Sequence, residues 1–325
     1  MTWRFSTKAE TSKPKPPEIS SAALEARVRR VSSKAFFTPD QFHPPMKHQP
    51  NMFVHKRVLA AALAVASLAT TPAFAADPVS ILDQVKQRGK LVIGVDPSAP
   101  PMAQLDANGQ ATGFAPDLAR VVAKELNVAI EFKPITGTIQ IPSIKNGDID
   151  AMFGSTTPTV KREDVLDFTI VYNWDYVVPL VRKGDSGDIK TYTPPKRVAT
   201  SKNNYAAQLF KDLVPTGQVV FFDNYSDSVD ALRANQADAV LLNSFSAKAY
   251  TKRYGDSLQV GEAFFTDPQA IVVRQNDSRW RNFLNHTLQR IWARGEFAAL
   301  YEKNFGYKPE FKLWSDARLQ PGIEK

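Results

Sequence analysis

Short apolar runs and amphipathic stretches alternate along the chain in two successive blocks. Runs of three to five apolar residues predict buried strands, and apolar residues every three or four positions predict helices. The first block reads helix, strand, helix, strand, helix, strand over 80–88, 91–95, 114–126, 129–132, 141–146 and 151–153. The second block reads strand, helix, strand, helix, strand over 197–200, 204–213, 219–222, 226–234 and 239–242. This alternation predicts an α/β fold with a parallel or mixed sheet.

Two extended apolar passages, 176–181 and 270–274, bracket the second block, each flanked by loop signals at 183–187 and 266–268. The simplest topology has the chain leave a first lobe, build a second lobe and return. We therefore expect residues 76–180 to form the first part of lobe 1 and residues 181–269 to form lobe 2. Residues 270–325 are then expected to complete lobe 1, with C-terminal helices at 278–294 and 296–305. Two crossovers predict a hinge, and the cleft between the lobes is the expected ligand site.

The segment 52–75 predicts a cleaved signal peptide. A short basic region precedes an apolar run at 58–69, and the small residues Ala73 and Ala75 follow it, so the mature chain is expected to begin at Ala76. The run is too short for a membrane span, which needs about 20 residues. A buried core helix is the alternative interpretation.

Residues 1–51 are rich in Pro, Ser, Lys and Arg and show little periodicity, which indicates a disordered segment or a spurious upstream start. A mitochondrial-type presequence is the competing interpretation, because Arg27, Arg29 and Arg30 lie in a weakly amphipathic stretch.

The positive charge is concentrated at the N-terminal end. Residues 1–75 contain 11 of the 41 basic residues and 4 of the 33 acidic residues. The remainder is nearly neutral and gives no support for a nucleic-acid partner.

The composition narrows the possible chemistry. The chain has no cysteine, which excludes disulfides, thiol nucleophiles, thiolate metal sites and lipid attachment at a mature N-terminal cysteine. Beyond the leader the single histidine is His286, which lies off the apolar face of its predicted helix. Because His286 is expected to face solvent and cysteine is absent, the usual Ser-His-Asp, Cys-His and His-rich zinc arrangements are not predicted. No cofactor or metal is predicted, and carboxylate-only catalysis stays open.

The segment Gly154 to Arg162, GSTTPTVKR, follows a predicted buried strand. Its polar side chains are therefore expected at the carboxyl edge of the sheet, where open α/β folds bind ligands. Two hydroxyls, on Ser155 and Thr157, and a guanidinium suit a carboxylate, because arginine meets two oxygens at once. An ordinary helix cap followed by a surface arginine is the alternative.

The chain from 91 to 305 resembles the family 3 solute-binding proteins of bacterial ABC transporters, the polar amino-acid receptors. The resemblance is carried by LVIGV at 91–95, GFAPDL at 113–118, GDIDA at 147–151, the segment 154–162, FT at 168–169, ADA at 237–239 and WARGEF at 292–297. The Gly-Ser-Thr-Thr version looks most like the glutamate/aspartate-binding subgroup. The resemblance implies the two-lobed periplasmic-binding-protein fold with two hinge crossovers and an interlobe cleft.

By this resemblance, Arg162 pairs with the ligand's α-carboxylate, supported by Ser155 and Thr157. The family's Gly-Ser/Thr-Thr turn at the first helix of lobe 2 is replaced here by Lys202, Asn203 and Asn204. Such a helix start suits an anion through its free N–H groups. We expect the two asparagines to keep these donors while the hydroxyl is lost.

Further departures concern specificity. Asn243 stands where the family has an aspartate for the α-amino group, and Gln140 stands where the acidic subgroup has an arginine. These changes predict weaker recognition of a free amino group and of an acidic side chain. Met102 replaces the covering aromatic residue, and Trp174 is a candidate for that wall or for the lobe core. Ser246, Asp223 and Tyr225 are further candidates on the lobe 2 side.

The expected function is therefore a periplasmic, monomeric receptor, free of a lipid anchor, for an amino acid or related small carboxylate. Its expected partner is an inner-membrane ABC permease. One alternative is a dehydratase-like periplasmic enzyme on the same scaffold. Another is the sensor module of a signalling protein, which would require a membrane span and an effector domain.

Overall fold

The computed structural model describes residues 79–313. The N-terminal extension 1–51, the signal peptide 52–75 and the start of the mature chain at Ala76 lie outside these residues and stay predictions.

The strands and helices of residues 79–313 are numbered here in chain order. The strands are β1 Lys90–Val95, β2 Gln104–Leu105, β3 Ala111–Thr112, β4 Ala129–Pro134, β5 Ala151–Thr156, β6 Leu166–Arg182, β7 Arg197–Ser201, β8 Gln218–Phe222, β9 Ala239–Asn243, β10 Leu258–Val260 and β11 Phe265–Arg274. The helices are α1 Ile81–Arg88, α2 Phe114–Leu126, α3 Gln140–Asn146, α4 Val160–Glu163, α5 Ala206–Leu213, α6 Tyr225–Arg233, α7 Ser244–Tyr254, α8 Ser278–Ala293 and α9 Glu296–Phe305. Short 3₁₀ turns lie at Gly137–Ile139, Ile189–Thr191 and Gly255–Ser257.

The central sheet has two parallel halves joined by two antiparallel strands, in the order β4-β1-β5-β11-β6-β9-β7-β8. Strand β1 pairs in parallel with β4 and β5, and β7 pairs in parallel with β8 and β9. We call the half with β1, β4 and β5 lobe 1 and the half with β7, β8 and β9 lobe 2. The predicted α/β, two-lobed fold is confirmed.

Strands β6 and β11 run between the lobes. Strand β6 is 17 residues long and pairs first with β11 and then, over Val177 to Leu180, with β9. The loop predicted at 266–268 is wrong, because these residues belong to β11 and lie opposite β6. Pro268 is accommodated beside a register shift between Gln269 and Ala270, where the missing N–H disrupts little. The lobe boundaries expected at 180/181 and 269/270 stay a prediction.

One buried carboxylate fixes the start of two helices in lobe 1. Asp277 accepts hydrogen bonds from the Trp280 amide at 3.0 Å, from the Ile81 amide at 2.6 Å and from the Ser80 hydroxyl at 2.7 Å. These amides belong to the unsatisfied first turns of α8 and α1, so the carboxylate caps both helices. Helix α8 then buries its predicted apolar face in the core, and His286 is exposed.

Helix α7 was not predicted from the sequence. Its buried positions include the polar Ser246 beside Phe245, Ala247 and Tyr250, so no clean apolar stripe marks it. Phe245 leaves lobe 2 and packs in the lobe 1 core, with its ring centroid 5.4 Å from that of Phe305. The aromatic contact therefore ties helix α7 to the C-terminal helix α9.

Within residues 79–313 no helix is both long and apolar enough to cross a bilayer. The same part of the chain contains no group of three or more His, Asp or Glu side chains placed to hold a metal ion.

Asp175 connects strand β6 to helix α7. Its side chain is buried and accepts a hydrogen bond from the Ser244 hydroxyl at the first residue of the helix. Burial raises the pKa of the Asp175 carboxyl to about 6, and its hydrogen bonds only partly offset this. The native state therefore holds this proton more tightly than the unfolded chain does.

We predict that Asp175→Asn stabilises the protein at neutral pH relative to acid pH. A native pKa of about 6 above an unfolded value of 3.8 gives stability that is complete below pH 4 and lost as the pH rises through 6. At about 1.4 kcal/mol per pKa unit, the variant should gain about 2–3 kcal/mol over the wild type between pH 3.5 and 7.5. Urea unfolding at both pH values measures this, with the exposed Asp256→Asn as control. A difference that does not change with pH would contradict the assignment.

Candidate ligand cleft

A cavity lies between the two lobes, against strands β6 and β11. About 680 Å³ of space free of protein atoms lies within it, and this figure includes space open to solvent. Both lobes contribute to its wall, and most of the lining groups are polar. The lining residues of the charged or hydrogen-bonding kind are Asp96, Gln140, Ser155, Thr156, Thr157, Arg162, Ser201, Lys202, Asn203, Asn204, Tyr205, Tyr225, Asn243 and Asp267.

Strand β5 and the short helix α4 place the predicted anion-binding group. Thr159 caps α4 by accepting from the Arg162 amide at 3.3 Å, which fixes the backbone at Arg162. The guanidinium donates to the Thr157 carbonyl at 2.6 Å and to the Asn203 carbonyl at 2.7 Å. Burial lowers the pKa of Arg162, and the negative charge of Asp267 partly opposes this. The group stays charged because the pKa of arginine is so high.

Arg162 has no carboxylate partner in the part of the chain that the structure describes, since its two hydrogen bonds go to backbone carbonyls. A partly buried guanidinium without a counter-ion is costly, and an anion in the cavity would relieve that cost. Within the same described residues, the Ser155 hydroxyl makes no hydrogen bond to protein and lies in the cavity wall. It is available to a ligand.

Asn203 and Asn204 of lobe 2 make different hydrogen bonds. Asn203 has a left-handed backbone, with φ of 61°, and its side-chain amide donates to the Gly137 carbonyl at 2.8 Å. Asn204 accepts from the Ala206 amide at 2.8 Å, so it caps the start of α5. The Asn204 amide also donates to the Tyr225 hydroxyl at 2.8 Å, which brings that ring to the cavity wall.

The lobes touch on both sides of the cavity. On one side the Arg162–Asn203 and Asn203–Gly137 hydrogen bonds cross the cleft. On the other side the Tyr225 amide donates to the Ser98 hydroxyl at 3.1 Å and the Tyr250 hydroxyl donates to the Ser98 carbonyl at 2.8 Å. The structure is therefore a closed arrangement of the cleft.

Asp267 is one of the cavity residues that sequence reasoning missed. It lies on β11, is 3% exposed, and accepts from the Thr157 hydroxyl at 2.6 Å and the Asn243 amide at 2.7 Å. The Gln269 amide adds a third hydrogen bond at 3.0 Å. Burial raises the pKa of Asp267, while these three donors and Arg162 act in the opposite direction. The flanking Thr266 and Pro268 suggest a loop, so the local sequence gives no signal that points to Asp267.

The Asp96 carboxylate is a second acid in the wall, held by the amide and hydroxyl of Ser98 at 2.9 and 2.7 Å. Burial raises the pKa of Asp96, and the Ser98 bonds partly offset this. Gln140 donates to the Thr156 hydroxyl at 2.8 Å and faces the same cavity. Sequence reasoning found Gln140 and missed Asp96.

Two predicted site residues lie elsewhere. Met102 is fully buried in the lobe 1 core, with its sulfur 3.8 Å from the Tyr172 hydroxyl. Trp174 is 43% exposed and lines a separate cavity with Asp175 and Tyr176. Neither lines the cleft. Of the further candidates, Tyr225 lines the cleft, whereas the other two do not: Ser246 is buried in α7, and Asp223 forms an exposed ion pair with Lys202 at 2.6 Å.

Comparison with known proteins identifies the class. Residues 91–307 match the family model of bacterial extracellular solute-binding proteins, family 3, and the chain belongs to this family. It is thus a solute-binding protein of the kind that serves ABC transporters, as the sequence predicted.

Individual relatives agree with this class. The L-cystine-binding protein TcyJ of Escherichia coli K12 is 27% identical over 254 residues, which cover 77% of this chain and 96% of the relative. The glutamine-binding protein of Geobacillus stearothermophilus is 29% identical over 219 residues, which cover 63% of this chain and 80% of that relative. A mutant of ArgBP from T. maritima superposes with a TM-score of 0.65 at 29% identity, covering 70% of this chain and 99% of that one. The structure of an ancestral amino acid-binding protein, a precursor of cyclohexadienyl dehydratase, superposes with a TM-score of 0.64 at 31% sequence identity. The match covers 70% of this chain and 100% of that one.

We predict that Gly137→Ala weakens ligand binding by opposing closure. A Cβ at this position would lie 2.3 Å from the Lys202 carbonyl oxygen across the cleft, so the lobes would have to separate slightly. Calorimetry should show at least a tenfold loss of affinity for the amino acid that gives the largest thermal shift in a screen. Small-angle scattering at saturation should show a larger radius of gyration than for the wild type.

Gly154→Ala is the matched control, since a Cβ there meets nothing within 4 Å. If Gly137→Ala bound and compacted like this control, the cleft contact would play no part in ligand binding.

Proposed function

We propose that this protein binds an amino acid through its carboxylate at Arg162, in the periplasm, and presents the closed complex to an inner-membrane ABC permease. The observation that carries the proposal is a guanidinium in the cavity wall that touches both lobes and has no carboxylate partner among residues 79–313. Relatives named for cystine, glutamine and histidine support an amino acid as the ligand class. We expect the receptor to act as a monomer.

The carboxylate is proposed to sit between Arg162 and the Ser155 hydroxyl. Arginine has five N–H donors, and two nitrogens of Arg162 already hold backbone carbonyls, which orients the planar group and leaves donors for an anion. The role expected for the Thr157 hydroxyl changes, because its proton is donated to Asp267. Thr157 instead positions the guanidinium through its carbonyl oxygen.

Closure follows from the contacts that only the joined lobes can make. The carbonyl of Asn203 accepts the second hydrogen bond of the Arg162 guanidinium, and the Asn203 side-chain amide donates to the Gly137 carbonyl. A ligand that neutralises Arg162 favours this form by its additional contacts there. The proposed signal to the permease is thus the joined state of the two lobes.

A catalytic role is the second candidate. Two carboxyl groups with raised pKa values line the cavity, the partly exposed Asp96 and the buried Asp267, and such groups can act as general acids. One structural neighbour, an ancestral amino acid-binding protein described as a precursor of cyclohexadienyl dehydratase, supports this candidate. An assay that incubates the protein with prephenate-like acids and measures substrate loss and the release of carbon dioxide tests this candidate. Turnover would establish it, and no loss of substrate would leave binding as the function.

We predict that Arg162→Ala removes most of the measurable affinity for the ligand. A thermal-shift screen of the protein amino acids on the mature wild type supplies the ligand, and calorimetry then compares the variants. Losing the partner of a buried carboxylate costs about 2–5 kcal/mol, so affinity should fall at least 30-fold. Lys161→Ala is the matched control, because this neighbour on α4 is exposed and lies outside the cavity wall.

The control should bind like the wild type. Equal affinity of Arg162→Ala and Lys161→Ala for the screened ligand would remove the carboxylate site proposed here.

A further inference from the structure

We infer that Asp267 supplies the negative charge for the ligand's α-ammonium group, so that the cleft selects zwitterionic α-amino acids. The inference rests on the proposed function and deepens it. It reverses the expectation, based on Asn243, that a free amino group is poorly recognised. Strand β9 ends in Asn243, where the family has an aspartate, and Asp267 on the hinge strand β11 supplies the carboxylate instead.

The cavity wall holds two opposite charges that do not pair with each other. Arg162 donates to two carbonyl oxygens, and Asp267 accepts from a hydroxyl and two amides. Among the described residues, neither group has a partner of opposite charge within 4.0 Å. Both line the same cavity. The buried Asp267 carboxylate and the partly buried Arg162 guanidinium are both hydrogen-bonded to neutral groups and face one cavity. This arrangement matches a ligand that carries both charges itself.

Thr157 sets the distance between the two charges. Its carbonyl oxygen accepts from Arg162 at 2.6 Å, and its hydroxyl donates to Asp267 at 2.6 Å. The anion-binding group and the cation-binding group are therefore positioned by one residue. In an α-amino acid a single carbon separates the carboxylate from the ammonium, so two groups that are hydrogen-bonded to the same residue suit that spacing.

Asp267 has room for one more donor. One of its oxygens accepts the Thr157 hydroxyl, and the other accepts the Asn243 and Gln269 amides. A carboxylate offers about four acceptor positions, so one is left for an ammonium N–H. Asn243 directs its NH₂ group at Asp267, which makes it a positioning residue rather than the counter-charge.

The test compares each screened amino acid with the carboxylic acid in which hydrogen replaces its amino group. The wild type should bind the amino acid at least 100-fold more tightly than this analogue. Asp267→Asn should lose at least 30-fold in affinity for the amino acid and keep its affinity for the analogue within about threefold. Asp256→Asn, an exposed carboxylate, is the control and should retain the full preference.

The double variant Asp267→Asn/Asn243→Asp guards against a merely misfolded single variant. It exchanges donor and acceptor in one hydrogen bond and returns the negative charge to the cavity. It should recover at least tenfold of the lost amino-acid affinity. Circular dichroism and thermal unfolding establish that every variant is folded.

The inference is overturned if the wild type binds the analogue as tightly as the amino acid, or if folded Asp267→Asn loses both ligands equally. It is also overturned if the double variant shows no recovery. In these cases loss of binding in Arg162→Ala would leave the carboxylate site standing. If Arg162→Ala binds normally, the proposed function fails by itself.

Discussion

The Arg162 guanidinium donates to the Thr157 carbonyl in lobe 1 and to the Asn203 carbonyl in lobe 2. This pair of bonds joins the two halves of the protein through the same group that faces the ligand cavity. Carbonyl oxygens solvate the cation but do not neutralise it, so the closed cleft retains an electrostatic preference for an anion. In the proposed function, Arg162 couples binding to closure, and the other hydrogen bonds across the cleft add to the stability of the closed form.

The hinge strands carry both the mechanics and part of the chemistry. Strands β6 and β11 pair with each other over the region where the lobes meet, and each bears one buried acid there. Asp175 holds the start of α7, and Asp267 holds Thr157 and Asn243, which come from opposite lobes. A ligand that contacts Asp267 thus acts on the segment that must move when the cleft opens.

The sequence was a good guide to the fold because strand and helix periods alternate clearly in both lobes. It also predicted that the segment 154–162 reaches the carboxyl edge of the sheet, where Ser155, Thr157 and Arg162 line the cavity. Asp267 escaped prediction because the flanking Thr-Asp-Pro suggests a loop, whereas pairing with β6 holds it in a strand. Trp174 was misplaced for a geometric reason. Side chains alternate along β6, and Val177, three residues on, faces the cleft, so Trp174 faces away.

A crystal structure with the bound amino acid tests the account most directly. We expect both lobes closed on the ligand, with its carboxylate oxygens about 2.7–3.2 Å from the Arg162 nitrogens and its ammonium nitrogen at a similar distance from an Asp267 oxygen. A ligand whose carboxylate is held by lobe 2 alone, with the Arg162 side chain turned into solvent, would contradict it.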